Sequence, residues 1–488
     1  MELERYTAAG LGRLVGNGEI SPTEVIRYFA ERIEERDPSL HAFTYLKIEE
    51  ALNDAKKLED QLARREQVGP FAGVPIALKD FLPSKKGWTN SHGGVASLIM
   101  EDAADSAFYA AAAKAGAIAI GKTNAPAFGF RGTCDNRLYG ATCNPYHTDY
   151  NSGGSSGGTA AAVADGLILM GEGGDGGGSI RIPASWCNLY GFKASVGTVP
   201  SVCRPDGWTA THPYCTNGCL TKSVEDSALM LEYMAQYDPK DPLSLPHPFR
   251  RFSELMKQGI KGRKIAYTPD FDIFPVDPEV ADLVEKAAYA LREAGAIVEP
   301  VHFHFPHSSN EYAELWCRAI SIDTAIDMEL WKQNGLDLLR DHADELPEEF
   351  IYWNQKALES TILDYRYFND LRTEMLDAFE DTFADYDLIL SPVTICPPVK
   401  NDPAGNTKGP DEVCGHKVEP LIGFCETFFA NFVGNPAASV PAGLTKAGLP
   451  IGMQIIGRKF RDEDVLAASY AYEQIRPWNY DIPLGRRI

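Results

Sequence analysis

Residues 151–185, NSGGSSGGTAAAVADGLILMGEGGDGGGSIRIPAS, place two serines, Ser155 and Ser179, against glycine-rich segments. The two serines are 24 residues apart (179 − 155 = 24). Upstream, the apolar run 73–78 (GVPIAL) leads directly into Lys79. Two hydroxyls and a lysine that burial can hold neutral are the components of a serine hydrolase that uses no histidine.

Composition and charge restrict the classes of partner. The chain has 488 residues, 44% of them hydrophobic, and can bury a large core without disulfides or metals. Its net charge of −22 provides no basic stripe for phosphates, so we expect neither nucleic acid nor a membrane as a partner. The first residues form no apolar leader, and the apolar stretches near 110–120 and 160–170 are interrupted by Lys114 and Asp165. A cytoplasmic location is therefore expected.

The cysteines indicate no metal site. Ten cysteines are scattered between Cys134 and Cys425, and without a secretion signal we expect reduced thiols. The tightest pair, Cys215 and Cys219, has no second Cys or His pair at ligand spacing. We expect no metal and no cofactor.

Alternating patterns predict a layered α/β sheet. A capping box at Ser21 and a periodic segment at about 47–65 predict N-terminal helices. From about residue 71, short buried strands alternate with helices, which is typical of α/β folds. The predicted strands are 74–78, 117–121, 264–267, 296–298 and 386–392, and the helices between them are 106–115 and one that starts at Asp277 and ends at Gly295.

The stretch from about 303 to 381 has a helical pattern and many aromatic residues. For any single residue, core packing is the better explanation, although apolar binding clefts also use aromatic side chains. The Pro/Gly-rich segment 397–415 predicts a long loop at the mouth of the site.

Three chemistries use glycine-rich segments such as the one quoted above, which holds eleven of the 43 glycines. A phosphate-binding loop needs a lysine that neither segment supplies. The run from Gly171 to Gly176 fits G-x-G-x-x-G, but Pro183 interrupts the helix that should follow, and the acidic residue expected roughly 20 positions later is missing. The remaining use is an oxyanion hole, in which consecutive N–H groups at 176–179 bind one developing negative charge.

A hydroxyl needs a base before it is a useful nucleophile. None of the ten histidines lies near these segments in the sequence. A buried lysine can serve instead, since desolvation disfavours its ammonium form. Taken alone, Lys79 is better explained as a surface lysine or as an ion-pair partner of Asp80.

Taken together, these residues resemble the amidase signature family over most of the chain. The resemblance implies a three-layer α/β/α sandwich around a mixed sheet of about eleven strands, in a single domain covering 1–488. Its parts would be an N-terminal helical layer (1–68), a signature core (69–230), a helical substrate-side region (303–381) and the C-terminal part of the sheet (382–488). The motifs, in the family's order, are 73–80 (GVPIALKD), 121–124 (GKTN), 153–158 (GGSSGG), 175–183 (DGGGSIRIP), 434–436 (GNP) and 448–454 (GLPIGMQ).

The resemblance also implies a role for each matching residue. Ser179 would attack the acyl carbon, Ser155, held by a cis peptide bond in the family, would relay the proton, and Lys79 would be the base. Asp175 and Arg181 would pair to brace the loop, and Ser156 would be a supporting hydrogen-bond partner. The oxyanion hole would be formed by the N–H groups of Gly176, Gly177, Gly178 and Ser179.

Two positions depart from the family pattern. The family commonly has Ile or Thr where this chain has Gly176, which predicts either a looser oxyanion segment or room for a bulkier acyl group. The family often has Glu where Ala127 precedes Phe128, which alters loop bracing. Neither change removes a catalytic atom. As candidates for the substrate pocket we name Cys134, Trp316 and Cys317.

The residues define the type of reaction more closely than they define the substrate. Segments 316–318 (WCR) and 458–478 are more similar to aminohexanoate-oligomer hydrolases and aryl acylamidases than to the tRNA-dependent amidotransferase subunit. We expect a monomer or homodimer that hydrolyses aryl amides, linear nylon-like amides or carbamates (urethanes), with esters as a side activity. The alternative is the glutaminase subunit of a tRNA-dependent amidotransferase. A catalytically inactive binding protein fits least, since all three triad positions are filled.

Overall fold

The fold is built on one eleven-stranded mixed sheet. The computed structural model describes residues 1–81, 84–204, 206–209, 211, 213–246 and 248–478. Strands within these residues are, in chain order, β1 Phe43–Leu46, β2 Pro75–Lys79, β3 Thr89–Asn90, β4 Met100–Glu101, β5 Ile118–Thr123, β6 Cys143–Asn144, β7 His147–Asn151, β8 Met170–Asp175, β9 Tyr190–Lys193, β10 Thr216–Thr221, β11 Lys264–Tyr267, β12 Ile297–Pro300, β13 Leu388–Pro392, β14 Glu412–Val413, β15 His416–Lys417, β16 Ala437–Leu444 and β17 Pro450–Gly457.

Helices surround this sheet. Those in the described residues are α1 Ala8–Gly16, α2 Pro22–Arg36, α3 Ile48–Ala63, α4 Ala107–Lys114, α5 Gly157–Ala164, α6 Arg181–Trp186, α7 Val224–Met234, α8 Phe252–Leu255, α9 Pro278–Ala290, α10 Ser309–Gln333, α11 Leu338–Asp341, α12 Glu348–Leu358, α13 Ile362–Asp385, α14 Phe428–Val433 and α15 Asp462–Ile475. None of them is long and apolar enough to cross a membrane.

The order of the strands encloses β2 between two neighbouring strands. The order is β1-β5-β2-β8-β10-β9-β16-β17-β13-β11-β12. Parallel pairing joins β2 to β5 and β8, and also joins β11 to β12 and β13, while the other neighbours are antiparallel. Because β2 lies between β5 and β8, its final residue, Lys79, is enclosed on both sides.

Two apolar clusters cover the faces of the sheet. Along β11, Ile265 and Tyr267 belong to one cluster, and Ala266 between them belongs to the other. The same alternation occurs along β13, where Ile389 lies between Leu388 and Leu390. Successive side chains of a strand point to opposite faces, so here the clusters lie on opposite sides of the sheet. The predicted α/β/α sandwich around a mixed sheet is confirmed.

The predicted elements agree with the structure to within about two residues where the periodicity is strong, as in β11 and α3. Besides the predicted N-terminal helices, residues 1–68 contain β1, which was not predicted and forms the edge of the sheet. The expectation that Pro183 prevents a helix is wrong. It occupies the first turn of α6, where its missing N–H has no helical partner to lose.

The aromatic region 303–381 contains the predicted helices. It forms α10, α11, α12 and most of α13. Most of its aromatic side chains are buried in one apolar cluster, as core packing predicts, including Phe303, Phe305, Tyr312, Trp353 and Phe368.

Candidate active site

Lys79 is the last residue of a completely buried strand, β2, and its side chain is only 1% exposed. Its backbone N–H donates to Glu172 Oε2 on β8 over 3.1 Å. Burial lowers the pKa of Lys79 to about 8, against the opposing fields of Cys134 and Glu172. About one amine in ten is therefore neutral at pH 7, and the neutral form that a base requires predominates above about pH 8.

The serine loop, residues 152–156, brings Ser155 to this lysine. The Gly154–Ser155 peptide bond is cis. Lys79 Nζ donates to Ser155 Oγ over 2.7 Å, and both groups are buried. The next residue, Ser156, donates its N–H to the backbone oxygen of Ser179 over 3.2 Å. This bond ties the serine loop to the segment that carries the second serine.

Ser179 lies two residues before α6 and is 8% exposed. No hydrogen bond to another described residue occupies its Oγ. Lys79, Ser155 and Ser179, from three separate segments, thus meet in one region, although the structure shows no direct Ser155–Ser179 side-chain hydrogen bond.

Residues 175–179 form the oxyanion loop, and three of its amides are available. The N–H groups of Gly176, Gly177 and Ser179 donate to no acceptor in the described part of the chain. Gly178 differs from the expectation, because its N–H already donates to Asp175 Oδ1 over 2.8 Å. The geometry therefore leaves three candidate donors for an oxyanion instead of four.

Asp175 and Arg181 form a buried bidentate ion pair. Arg181 Nε and Nη2 each donate to one carboxylate oxygen over 2.9 Å. Burial raises the pKa of Asp175, but the Arg181 guanidinium outweighs it and lowers the pKa to about 2. Arg181 also donates to Thr427 O, Asn431 Oδ1 and Gln454 Oε1. The pair anchors the oxyanion loop to the C-terminal half of the chain.

Three side chains explain the three consecutive glycines of this loop. A Cβ on Gly176 would lie 2.6 Å from Cys215 Sγ, and one on Gly177 would lie 2.6–2.8 Å from three atoms of the Trp316 ring. At Gly178, whose φ is +128°, a Cβ would lie 2.0 Å from Thr427 Oγ1. The space at Gly176 is thus filled by Cys215, and the expectation of room for a bulkier acyl group there is wrong.

The three pocket candidates lie in different surroundings. Trp316 reaches the oxyanion loop, where its Nε1 donates to Gly176 O over 2.9 Å. Cys134 is fully buried behind the serine loop, against the start of α5 at Gly157. Cys317 is buried in the aromatic cluster beside the Glu419 carboxyl, whose pKa burial raises to about 7. Of the three, Trp316 is the one that donates a hydrogen bond to the oxyanion loop.

Sequence reasoning missed Cys215 and Thr427. Both contact the oxyanion loop, but Thr427 is 250 residues from its partner Gly177. No local pattern marks either residue. The one available signal was the glycine run itself, since glycine allows other groups to approach the backbone closely.

Comparisons with known proteins identify the family of this chain. Residues 24–466 match the Amidase family. An acylamidase of Rhodococcus erythropolis is 31% identical over 98% of this chain and 96% of its own length. The glutamyl-tRNA(Gln) amidotransferase subunit of Lachnospira eligens is 32% identical over 98% of this chain and 99% of its own.

Solved structures give the same result. A bacterial aryl acylamidase is 41% identical with a TM-score of 0.95, covering 99% of both chains. A 6-aminohexanoate cyclic dimer hydrolase with bound substrate is 26% identical with a TM-score of 0.84, covering 99% of this chain and 98% of its own. On these grounds the chain belongs to the amidase signature family of amide-hydrolysing enzymes.

Proposed function

We propose that this protein hydrolyses aryl amides, linear amides and carbamates through an acyl-enzyme on Ser179. The observation that carries the proposal is the buried Lys79 Nζ at 2.7 Å from Ser155 Oγ, in a loop bonded directly to the backbone of Ser179. The similarity to an acylamidase and to an aryl acylamidase supports the choice of substrate class.

The first half of the reaction forms the acyl-enzyme. Ser179 Oγ attacks the carbonyl carbon and gives its proton to Ser155 Oγ, while the Ser155 proton passes to the neutral Lys79 Nζ. The carbonyl oxygen becomes an oxyanion that the N–H groups at 176, 177 and 179 stabilise. The tetrahedral intermediate then collapses, and the proton returns from Lys79 through Ser155 to the leaving nitrogen.

The second half releases the acid. A water molecule occupies the position of the departed amine and gives its proton to the same Ser155–Lys79 pair. The resulting hydroxide attacks the acyl carbon, a second oxyanion forms at the same three amides, and Ser179 Oγ leaves with the returned proton. Lys79 must be neutral at the start of each half, which its lowered pKa favours.

The glutaminase component of a tRNA-dependent amidotransferase is the second candidate function. It is supported by the 32% identity to the glutamyl-tRNA(Gln) amidotransferase relative, which extends along essentially the whole chain. The proposed chemistry at Ser179 is the same in both cases, so the substrate decides between them.

The test is hydrolysis of a 4-nitroanilide and a matched aryl carbamate by the wild type and by Ser179→Ala. Turnover of both substrates by the wild type and neither by the variant is the expected result. Ser39→Ala, an exposed serine outside the site, is the matched control and should retain activity. Wild-type turnover of glutamine alone, or much faster turnover of propionamide than of anilides, would contradict the proposed substrate class.

A further inference from the structure

We propose that Trp316 is a positioning residue that aims the Gly177 N–H into the oxyanion hole. This inference rests on the proposed function, because it assigns a role to a residue that does not itself touch the reacting atoms. Its basis is the hydrogen bond from Trp316 Nε1 to Gly176 O and the packing of the same ring against Gly177.

The geometry of the peptide unit connects the indole to the site. The carbonyl of Gly176 and the N–H of Gly177 belong to one planar unit, which is trans, since Gly154–Ser155 is the cis bond recorded in the described chain. In a trans peptide the two groups point in opposite directions. Fixing the carbonyl on Trp316 therefore turns the Gly177 N–H away from α10, and it meets no other acceptor among the described residues.

The environment makes this hydrogen bond a firm constraint. Trp316 is 1% exposed, so water does not compete for either partner. Its ring occupies the position that a Cβ on Gly177 would need, so the loop cannot move toward α10. A preorganised donor is worth more to catalysis than one that must be reoriented during the reaction.

The neighbouring carbonyls of the loop are held by other groups. Asn431 Nδ2 donates to Asp175 O over 3.0 Å, Thr427 Oγ1 donates to Gly177 O over 2.5 Å, and Ile182 N donates to Gly178 O over 2.7 Å. Trp316 differs from these anchors because it belongs to the helical region 303–381. Through it, the packing of α10 affects the oxyanion hole.

The test compares Trp316→Phe, which keeps an aromatic ring and removes the donor, with Trp353→Phe on α12. Deleting a whole oxyanion donor costs about 10²- to 10³-fold in kcat, so losing only its orientation should cost about 10- to 100-fold. KM for the anilide should stay within about twofold, since the interaction forms in the transition state. A trifluoromethyl ketone, which forms an oxyanion on Ser179, should lose affinity by the same factor as kcat.

Two further measurements separate positioning from a folding defect. A chain in which Trp316 alone is exchanged for 3-benzothienylalanine keeps the ring shape without the N–H and should reproduce the kcat loss with an unchanged Tm. Trp353→Phe should leave kcat and ketone affinity at wild-type values. Normal kcat in the benzothienyl protein, or a rise in KM alone, would overturn the inference while leaving the proposed function intact.

Failure of the proposed function has a different signature. Labelling of Ser179 by an alkyl fluorophosphonate needs no amide substrate: a Ser–O–P bond forms, fluoride leaves, and the serine proton passes to Lys79 through Ser155. The labelling rate should fall in Trp316→Phe as kcat does. If the wild type is neither labelled at Ser179 nor active on amides, the proposed function fails and the inference fails with it.

Discussion

Replacing Gly176 by alanine places a methyl group in a space that Cys215 already fills. The new Cβ would lie 2.6 Å from Cys215 Sγ, whereas a comfortable carbon–sulfur contact is roughly 3.5–4 Å. One of the two segments must move by about 1 Å, and overpacking of this kind costs about 1–3 kcal/mol. The shift falls on the Gly176 N–H, which is a proposed oxyanion donor. A loss of about 2 kcal/mol of transition-state stabilisation corresponds to roughly a 30-fold fall in kcat.

Cys215→Ala should restore most of that loss. The next atom near the new methyl is Cys215 Cβ at 3.9 Å, which is an ordinary contact. The double variant Gly176→Ala/Cys215→Ala should therefore show a favourable coupling energy of about 1–3 kcal/mol in both kcat and thermal unfolding. Gly177→Ala is the matched control, because its methyl would meet Trp316 and gain nothing from Cys215→Ala. A Gly176→Ala enzyme with wild-type kcat and Tm would refute the reasoning.

Three other predictions concern the base and a pocket candidate. The proposed mechanism requires the neutral form of Lys79, and burial lowers its pKa to about 8, so kcat/KM should rise with pH and level off above roughly pH 9. A maximum below neutrality would count against Lys79 as the base. The Glu172 carboxylate field raises the pKa of Lys79, so Glu172→Gln should move the rise to lower pH in the same rate profile. Cys317→Ala should leave the ratio of anilide to carbamate turnover unchanged, since Cys317 lies in the aromatic cluster beside Glu419. A changed ratio would place its side chain at the substrate.

The sequence predicted the elements whose patterns are local. The apolar run before Lys79 indicated a buried strand, and burial of that strand is what lowers the pKa of the lysine. The glycines around Ser155 and Ser179 indicated that other groups approach the backbone closely at these positions. The side chains that approach the glycines were not predictable. Trp316 is 140 residues from its partner Gly176, and Thr427 is 250 residues from its partner Gly177.

Two errors had local causes. Pro183 was interpreted as a helix breaker, although the first turn of a helix tolerates proline. β1 was missed because four half-exposed residues give too short a pattern to distinguish from a loop. Its place in the sheet comes from pairing with β5, which is a tertiary interaction.

Two anchors of the oxyanion loop, Thr427 and Asn431, are synthesised long after the loop itself. Lys79, Ser155 and Ser179 all precede residue 180, so they are synthesised well before the anchors. Asn431, which holds Asp175 O, follows 256 residues after its partner. A chain that folds from its N-terminus during synthesis thus carries the three proposed reactive groups before the anchors of the oxyanion loop are made. Under the proposed mechanism, a truncated product that ends before Thr427 and Asn431 lacks these anchors and is expected to be inactive on amides.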